Sequence, residues 1–203
     1  TSFDWFPPLA AEMGVSRLGF EADNLTVTLR DQMAHALDRS AELEHRRVEL
    51  VTTSGRVEGL RRLKDPVEMA TIQRAVDITD QAFESVSKTI EPGWTEKELG
   101  WRLETAMREL GGEGLAFPTL VGSGPNSGFA GNVPGERVLS DGDPVIIDMG
   151  AMYQGYCSDL TRTVVVGVPD EKFRRLYNAV YESDTWKNGV ADGWAALWPL
   201  NLS

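Results

Sequence analysis

The sequence predicts an α/β fold of the α+β type, and three observations predict it. Between Asp65 and Leu110, two helical stretches each open on a capping residue with a glutamate three positions later. Residues 143–167 hold two β-branched runs around a Gln154-Gly155 dipeptide, the pattern of a strand pair with a tight turn. Upstream, residues 16–52 read as strand, amphipathic helix and strand.

Composition narrows the function classes. The 203 residues suffice for one domain with a good core or for two small ones. A net charge of −11 argues against nucleic acid or an anionic membrane as partner. No apolar run is long enough to cross a bilayer, and no signal-peptide pattern is present. The single cysteine, Cys157, excludes an internal disulfide, fits a reducing cytoplasm, and reads as a small strand residue. The first residue is Thr1 rather than Met, so the sequence is expected to begin inside a longer gene product.

Taken in order, Thr1–Met13 carries Trp5, Phe6 and a Pro7-Pro8 pair and reads as the edge of something larger. Ser16–Phe20 suits a short strand. Leu25, Leu29, Met33 and Leu37 are spaced as a helix stripe, with His35 off the stripe and solvated. Glu42–Arg47, which includes His45, reads as a solvated charged face, and Arg47–Thr52 as a strand. Gly55–Lys64 is a basic bridge. Asp65 then caps a helix with Pro66 at its first position and Glu68 at its third; Met69, Ile72, Val76, Phe83 and Val86 form its apolar face. Ile90–Trp94 breaks it. Thr95, with Glu98, starts the next helix, whose stripe is Leu99, Leu103, Ala106 and Leu110 and whose end is Gly111-Gly112. Leu115–Gly122 reads as a strand and Ser123–Gly128 as a loop. That loop lacks the lysine and following helix of a phosphate cradle. Asp141 and Asp143 are turn residues, and a third helix follows Pro169-Asp170 with Phe173, Leu176, Tyr177 and Val180 as its stripe.

The residues that carry chemistry lie in the strand pair. The first strand, Val145–Ala151, is apolar except for Asp148; the second, Tyr156–Val166, follows Gln154-Gly155. With a two-residue turn, Asp148 falls opposite Asp159 or diagonal to it, and in either register both carboxylates share a face. Like charges facing across a ladder are destabilising, and a carboxylate inside a Val-Ile-Ile run is costly unless something neutralises it. Two readings stand at this point. The pair holds a hard divalent cation such as manganese or magnesium, or one Asp caps a turn while the other pairs with Arg162 or Arg137.

The stretch from Asp148-Met-Gly-Ala through Gly155-Tyr-Cys-Ser-Asp-Leu-Thr-Arg-Thr163 resembles the Xaa-Pro aminopeptidase and prolidase family, the pita-bread metallopeptidases. The resemblance extends back through Gly122-Ser-Gly-Pro-Asn-Ser127, Gly114-Leu-Ala-Phe-Pro118 and Leu60–Glu68, and covers Arg17–Glu182. It implies a partial pita-bread fold, the first half of a catalytic domain. It implies metal-dependent release of the residue before proline by an activated water at a centre of two divalent ions, Mn, Co or Zn. The positions matching the family's two metal-ligating aspartates are Asp148 and Asp159. A small peptide as substrate and a homodimer follow from the same resemblance.

The departures are as specific as the match. The family's centre has five ligands, the remaining three being one His and two Glu from the second half of the domain. No histidine follows His45, and Glu171 and Glu182 lie outside any matching motif. Gly131 stands where the family carries a further catalytic His. Coordination by two aspartates alone predicts weak or absent metal binding and impaired catalysis. A non-catalytic pita-bread protein that binds a peptide or partner is the alternative. Creatinase-like amidinohydrolysis is set aside, because that branch relies on the His that Gly131 replaces. The expected organisation is the end of an N-terminal domain over 1–54, a linker over 55–64, half a catalytic domain over 65–183 and an atypical, Trp-rich tail over 184–203.

Overall fold

The computed structural model describes residues 3–44 and 47–181. His45 and the tail expected over 184–203 lie outside the described residues. The chain divides into two compact units, Thr1–Lys64 and Asp65–Ser203.

In the first unit, α1 (Phe6–Glu12) is followed by β1 (Arg17–Glu21), α2 (Val27–Glu44), β2 (Glu49–Thr53) and α3 (Arg56–Arg61). The predicted strand–helix–strand run is present, and β1 and β2 pair in parallel from Arg17 opposite Glu49 to Glu21 opposite Thr53. Phe6, Ala10 and Leu37 form a small core backed by Phe3, Leu18, Met33, Val48 and Leu50. Helix α2 starts later than its leucine spacing suggests, and Leu29 is exposed rather than buried. His35 is exposed, as its position off the stripe requires.

The second unit opens with α4 (Pro66–Ser87) and α5 (Glu96–Glu109). The Asp65 carboxylate accepts from the backbone N–H groups of Val67 and Glu68, and Glu68 returns a bond to the Asp65 N–H, a complete capping box. Thr95 Oγ1 accepts from the Glu98 N–H at 3.0 Å and caps α5. The buried face of α4 is Ala75, Ile78, Thr79, Ala82, Phe83 and Val86. Met69, expected on that face, is exposed: its turn lies N-terminal to the part of α4 that packs. On α5 the buried face is Glu96, Leu99, Gly100, Leu103 and Met107. Ala106 and Leu110 only flank it.

Among the described residues this unit has six strands, β3 (Gly114–Leu115), β4 (Leu120–Ser123), β5 (Pro144–Met149), β6 (Ala151–Tyr153), β7 (Tyr156–Cys157) and β8 (Leu160–Val165). They form two antiparallel three-stranded sheets, ordered β3-β6-β7 and β4-β5-β8. The single strand expected over Leu115–Gly122 is split into β3 and β4, with Pro118 between them, where it cannot donate to a ladder. A 3₁₀ turn, Gly124–Gly128, occupies the predicted loop. Helix α6 (Glu171–Tyr181) ends the described chain; its Leu176 and Val180 are exposed.

The strand pair is one long ribbon shared by both sheets. Its turn is Gln154-Gly155, with φ of 48° and 77°, as expected for a two-residue hairpin turn. Pairing runs from Tyr153 opposite Tyr156 to Pro144 opposite Val165. The two predicted strands are each broken once, at Gly150 and at Ser158-Asp159, where the ribbon leaves one sheet for the other. Val145, Ile147 and Met149 point into the core with Leu99, Leu103, Met107 and Val121. Ile146 and Asp148 alternate onto the less buried face.

Candidate functional site

Asp148 and Asp159 lie near one another at the bend of the ribbon. Asp148 lies opposite Thr161, whose hydroxyl donates to Asp148 Oδ1 at 3.0 Å. Asp159 stands two residues before Thr161, just outside β8, close enough for the Asp148 charge to act on it. Burial and the negative charge of Asp148 together hold the Asp159 carboxyl above the usual carboxylate range. The pair thus concentrates negative charge at the point where the ribbon bends.

The competing pairing with arginine loses ground. Arg137 binds Asp143 instead, Nη1 donating to Oδ2 at 2.7 Å and Nη2 to Oδ1 at 3.1 Å. Arg162 lies opposite Ile147, on the other face of the ladder from Asp148. Asp143 also accepts from the Ser140 N–H at 2.9 Å, so it is a turn residue with a fixed cation.

The chemistry of the donors fits a hard divalent cation as far as it goes: two neighbouring carboxylates, one of them raised toward its neutral form by burial and by the charge of the other. It goes only as far as two ligands. Among the described residues, no group of three His, Cys, Asp or Glu is placed to hold a metal. Gly131 has φ of 76° and open space around it. Cys157 is exposed on β7.

Sequence reasoning missed two groups that position this region. The first is Glu96, fully buried at the start of α5. Its Oε1 accepts from Ser123 N and Oγ, both at 2.8 Å, and from Asn126 Nδ2 at 3.0 Å. Its Oε2 accepts from Gly135 N at 3.2 Å and Asn132 Nδ2 at 3.4 Å. One carboxylate therefore ties β4 and the whole loop over 123–135 to helix α5. Arg137 extends the network by donating to Ser123 Oγ at 2.6 Å. Burial alone would raise the Glu96 carboxyl, but the bonds donated by Ser123, Asn126 and Gly135 outweigh it and the group sits below the usual range. The second is the buried pair Thr79 and Ser158, whose hydroxyls lie 2.6 Å apart. The signal available for both was a polar residue on a helix's apolar face. Glu96 is three and seven positions before Leu99 and Leu103, and Thr79 lies between Ala75 and Phe83.

The depressed Glu96 and Asp143 carboxyls carry a pH prediction. Burial pushes Asp143 up, but the hydrogen bonds from Arg137 and Ser140 and the Arg137 charge bring it below the usual range. A carboxyl whose folded pKa lies below its unfolded value stabilises fully above the unfolded value, about 4.3 for Glu and 3.9 for Asp, and loses that stabilisation as pH falls through the folded one. The thermal midpoint should therefore fall on acidification below about pH 4.5. It should fall less steeply in Glu96→Gln, measured by circular dichroism across that range.

Comparison with known proteins gives the family and the fold. Residues 70–185 match Metallopeptidase family M24. The chain belongs to that family. It is 33% identical over 170 residues to the uncharacterized peptidase YqhT of Bacillus subtilis, covering 84% of this chain and 46% of that protein. It is 38% identical over 127 residues to the Xaa-Pro dipeptidase of Pyrococcus furiosus, covering 63% of this chain and 36% of the relative. Among solved structures, an Xaa-Pro dipeptidase from Bacillus anthracis superposes with a TM-score of 0.81 at 38% identity, over 88% of this chain and 48% of that one. An X-Pro aminopeptidase from Thermotoga maritima gives 0.78 at 29% identity, over 88% and 49%. The fold is accordingly the pita-bread α/β fold, of which this chain spans about half the length of its relatives. Among the described residues, no helix is long and apolar enough to cross a membrane.

Proposed function

We propose that this chain carries the aspartate half of the divalent centre of an Xaa-Pro exopeptidase, Asp148 and Asp159 each contributing carboxylate oxygens. The observation that carries this reading is the placement of Asp148 on β5 opposite Thr161 and of Asp159 two residues before Thr161, at the bend of the ribbon. A divalent ion, manganese, cobalt or zinc, would supply Lewis acidity at that face and an activated water for attack on the scissile carbonyl. The chain's own part is to hold the carboxylates in place at the bend, with Thr161 fixing the Asp148 oxygen. A small peptide as substrate, a second copy of the chain as partner and a cytoplasmic location belong to the same reading; the lone Cys157 supports the last.

The 203-residue chain is expected to be inactive by itself, because two carboxylates leave most of an ion's coordination to water. The test is to isolate the gene product from its native source, weigh it intact, and assay it with manganese or cobalt on a peptide beginning Xaa-Pro. Metal-dependent release of the first residue, lost when Asp148→Asn is introduced into the gene, supports the reading. Binding of the peptide without turnover, with no response to metal, overturns it in favour of a non-catalytic binding protein.

One observation favours that second reading. Gly131 holds a left-handed backbone that suits glycine. Gly131→His should cost about 1 kcal/mol of stability in urea unfolding, from that strain alone since the space is open. It should not by itself create hydrolysis.

A further inference from the structure

The bend in the ribbon is held by polar groups that the proposed chemistry does not use. Thr79, on the buried face of α4, is 1% exposed and Ser158 is 5% exposed. Their hydroxyls meet at 2.6 Å. The Ala151 N–H donates to both, at 3.1 Å to Thr79 Oγ1 and 3.0 Å to Ser158 Oγ. Ser158 N donates to Ala151 O at 3.0 Å, and Ser158 Oγ reaches the same oxygen at 3.2 Å. Thr79 Oγ1 is also within 3.1 Å of the Ala75 carbonyl. Their neighbours along the chain, Ile78 and Ala82 on α4 and Met149 and Ala151 on the ribbon, belong to the apolar core. An apolar side chain at position 79 would fill this contact between helix and ribbon with no polar group to desolvate. What a satisfied hydroxyl network adds is a fixed geometry. The residue it fixes, Ser158, is bonded directly to Asp159, and the strand it fixes, at Ala151, begins two residues after Met149 and three after Asp148.

We propose that the Thr79 hydroxyl is a positioning group for Asp159. By locking Ser158 Oγ and the Ala151 N–H at the bend, it sets the separation of Asp159 and Asp148 and with it their affinity for a divalent cation. The proposal rests on the cation reading above and adds a residue that touches neither the ion nor the substrate. Groups that orient metal ligands in this way typically change affinity by about 10- to 100-fold when removed.

Two substitutions separate geometry from packing. Thr79→Val keeps the volume and removes the hydroxyl; Thr79→Ser keeps the hydroxyl and removes a methyl. The measurement is binding of Mn²⁺ to the 203-residue chain, read from the electron paramagnetic resonance signal of the free ion. Asp148→Asn serves as the background for ions held elsewhere on an acidic surface, and thermal midpoints are recorded for each variant. The expected result is a weak binding class in the parent that Asp148→Asn removes. Thr79→Val should weaken it about 10-fold, while Thr79→Ser, although less stable than the parent, retains it. Parent-like binding by Thr79→Val, with binding still dependent on Asp148, overturns the positioning role and leaves the cation reading standing. Loss of binding in Thr79→Ser as well as in Thr79→Val also overturns it, since stability and not the hydroxyl is then what counts. Binding that is absent, or indifferent to Asp148→Asn, removes the cation reading and this inference with it.

Discussion

Glu96→Ala should destabilise the second unit by about 3–5 kcal/mol, the range for breaking a buried charged network by removing one partner. The carboxylate is wholly enclosed and receives bonds from the Ser123 N–H and hydroxyl, Asn126, Asn132 and the Gly135 N–H. Alanine removes the acceptor of the buried Ser123 N–H and of the half-buried Asn126 and Gly135 donors, while Asn132 keeps the Val121 carbonyl at 2.7 Å; each buried orphan costs about 1–3 kcal/mol. Glu96→Gln should cost less but still a substantial part, because either oxygen replaced by an amide puts donors against donors. Urea unfolding of the parent and both variants gives the ordering. Hydrogen exchange gives the location: amides over 123–135 should lose protection before those of β5 and β8. Equal loss over the whole sheet, or a change below 1 kcal/mol in Glu96→Ala, would mean that the loop is held by something other than this carboxylate.

Gly150→Ala should cost about 3 kcal/mol, at the upper end for overpacking a closed site. A β-carbon at residue 150 would run into the Ser158 carbonyl oxygen and sit 3.0 Å from both Ala116 Cβ and the Phe117 ring. Those neighbours belong to backbone or are pinned by it: the Ala116 N–H donates to Gly150 O at 2.8 Å. The strands must therefore spread at the bend. Gly155, in the turn, makes the comparison, since no atom lies within 4 Å of its would-be β-carbon and its cost is only that of a positive φ, about 1 kcal/mol. If the two alanine variants prove equally stable, close approach is not what the glycine at 150 is for.

What the sequence disclosed and what it did not divide along a physical line. The ribbon was legible because its determinants are local: a Gln154-Gly155 turn, period-two alternation, and a register fixed by loop length. The α4 and α5 starts were legible for the same reason, since Asp65 and Thr95 act on their own helices. The break at Gly150 was hidden because it depends on Ala116 and Thr79, far away in sequence. Glu96 was hidden because a glutamate in a first helical turn has a sufficient local reason to be there. Only the fold reveals that it is enclosed. Met69 and Ile78 show the same limit, as the phase of an apolar stripe does not say which of its turns is covered. Leu176 and Val180, a clear stripe on α6, remain exposed among the described residues.

The two-residue turn also has a kinetic consequence. Only ten residues separate Asp148 from Asp159, and all of them belong to one hairpin. Closing such a loop takes about 10–100 ns and zipping a hairpin about 1–10 μs, whereas the contacts to Thr79 and Leu120 must wait for distant chain to arrive. The mutual repulsion of the two carboxylates is therefore met early, by the ribbon alone and in water. Screening by salt, or a cation arriving at that moment, should speed the hairpin's formation more than it slows the finished unit's unfolding.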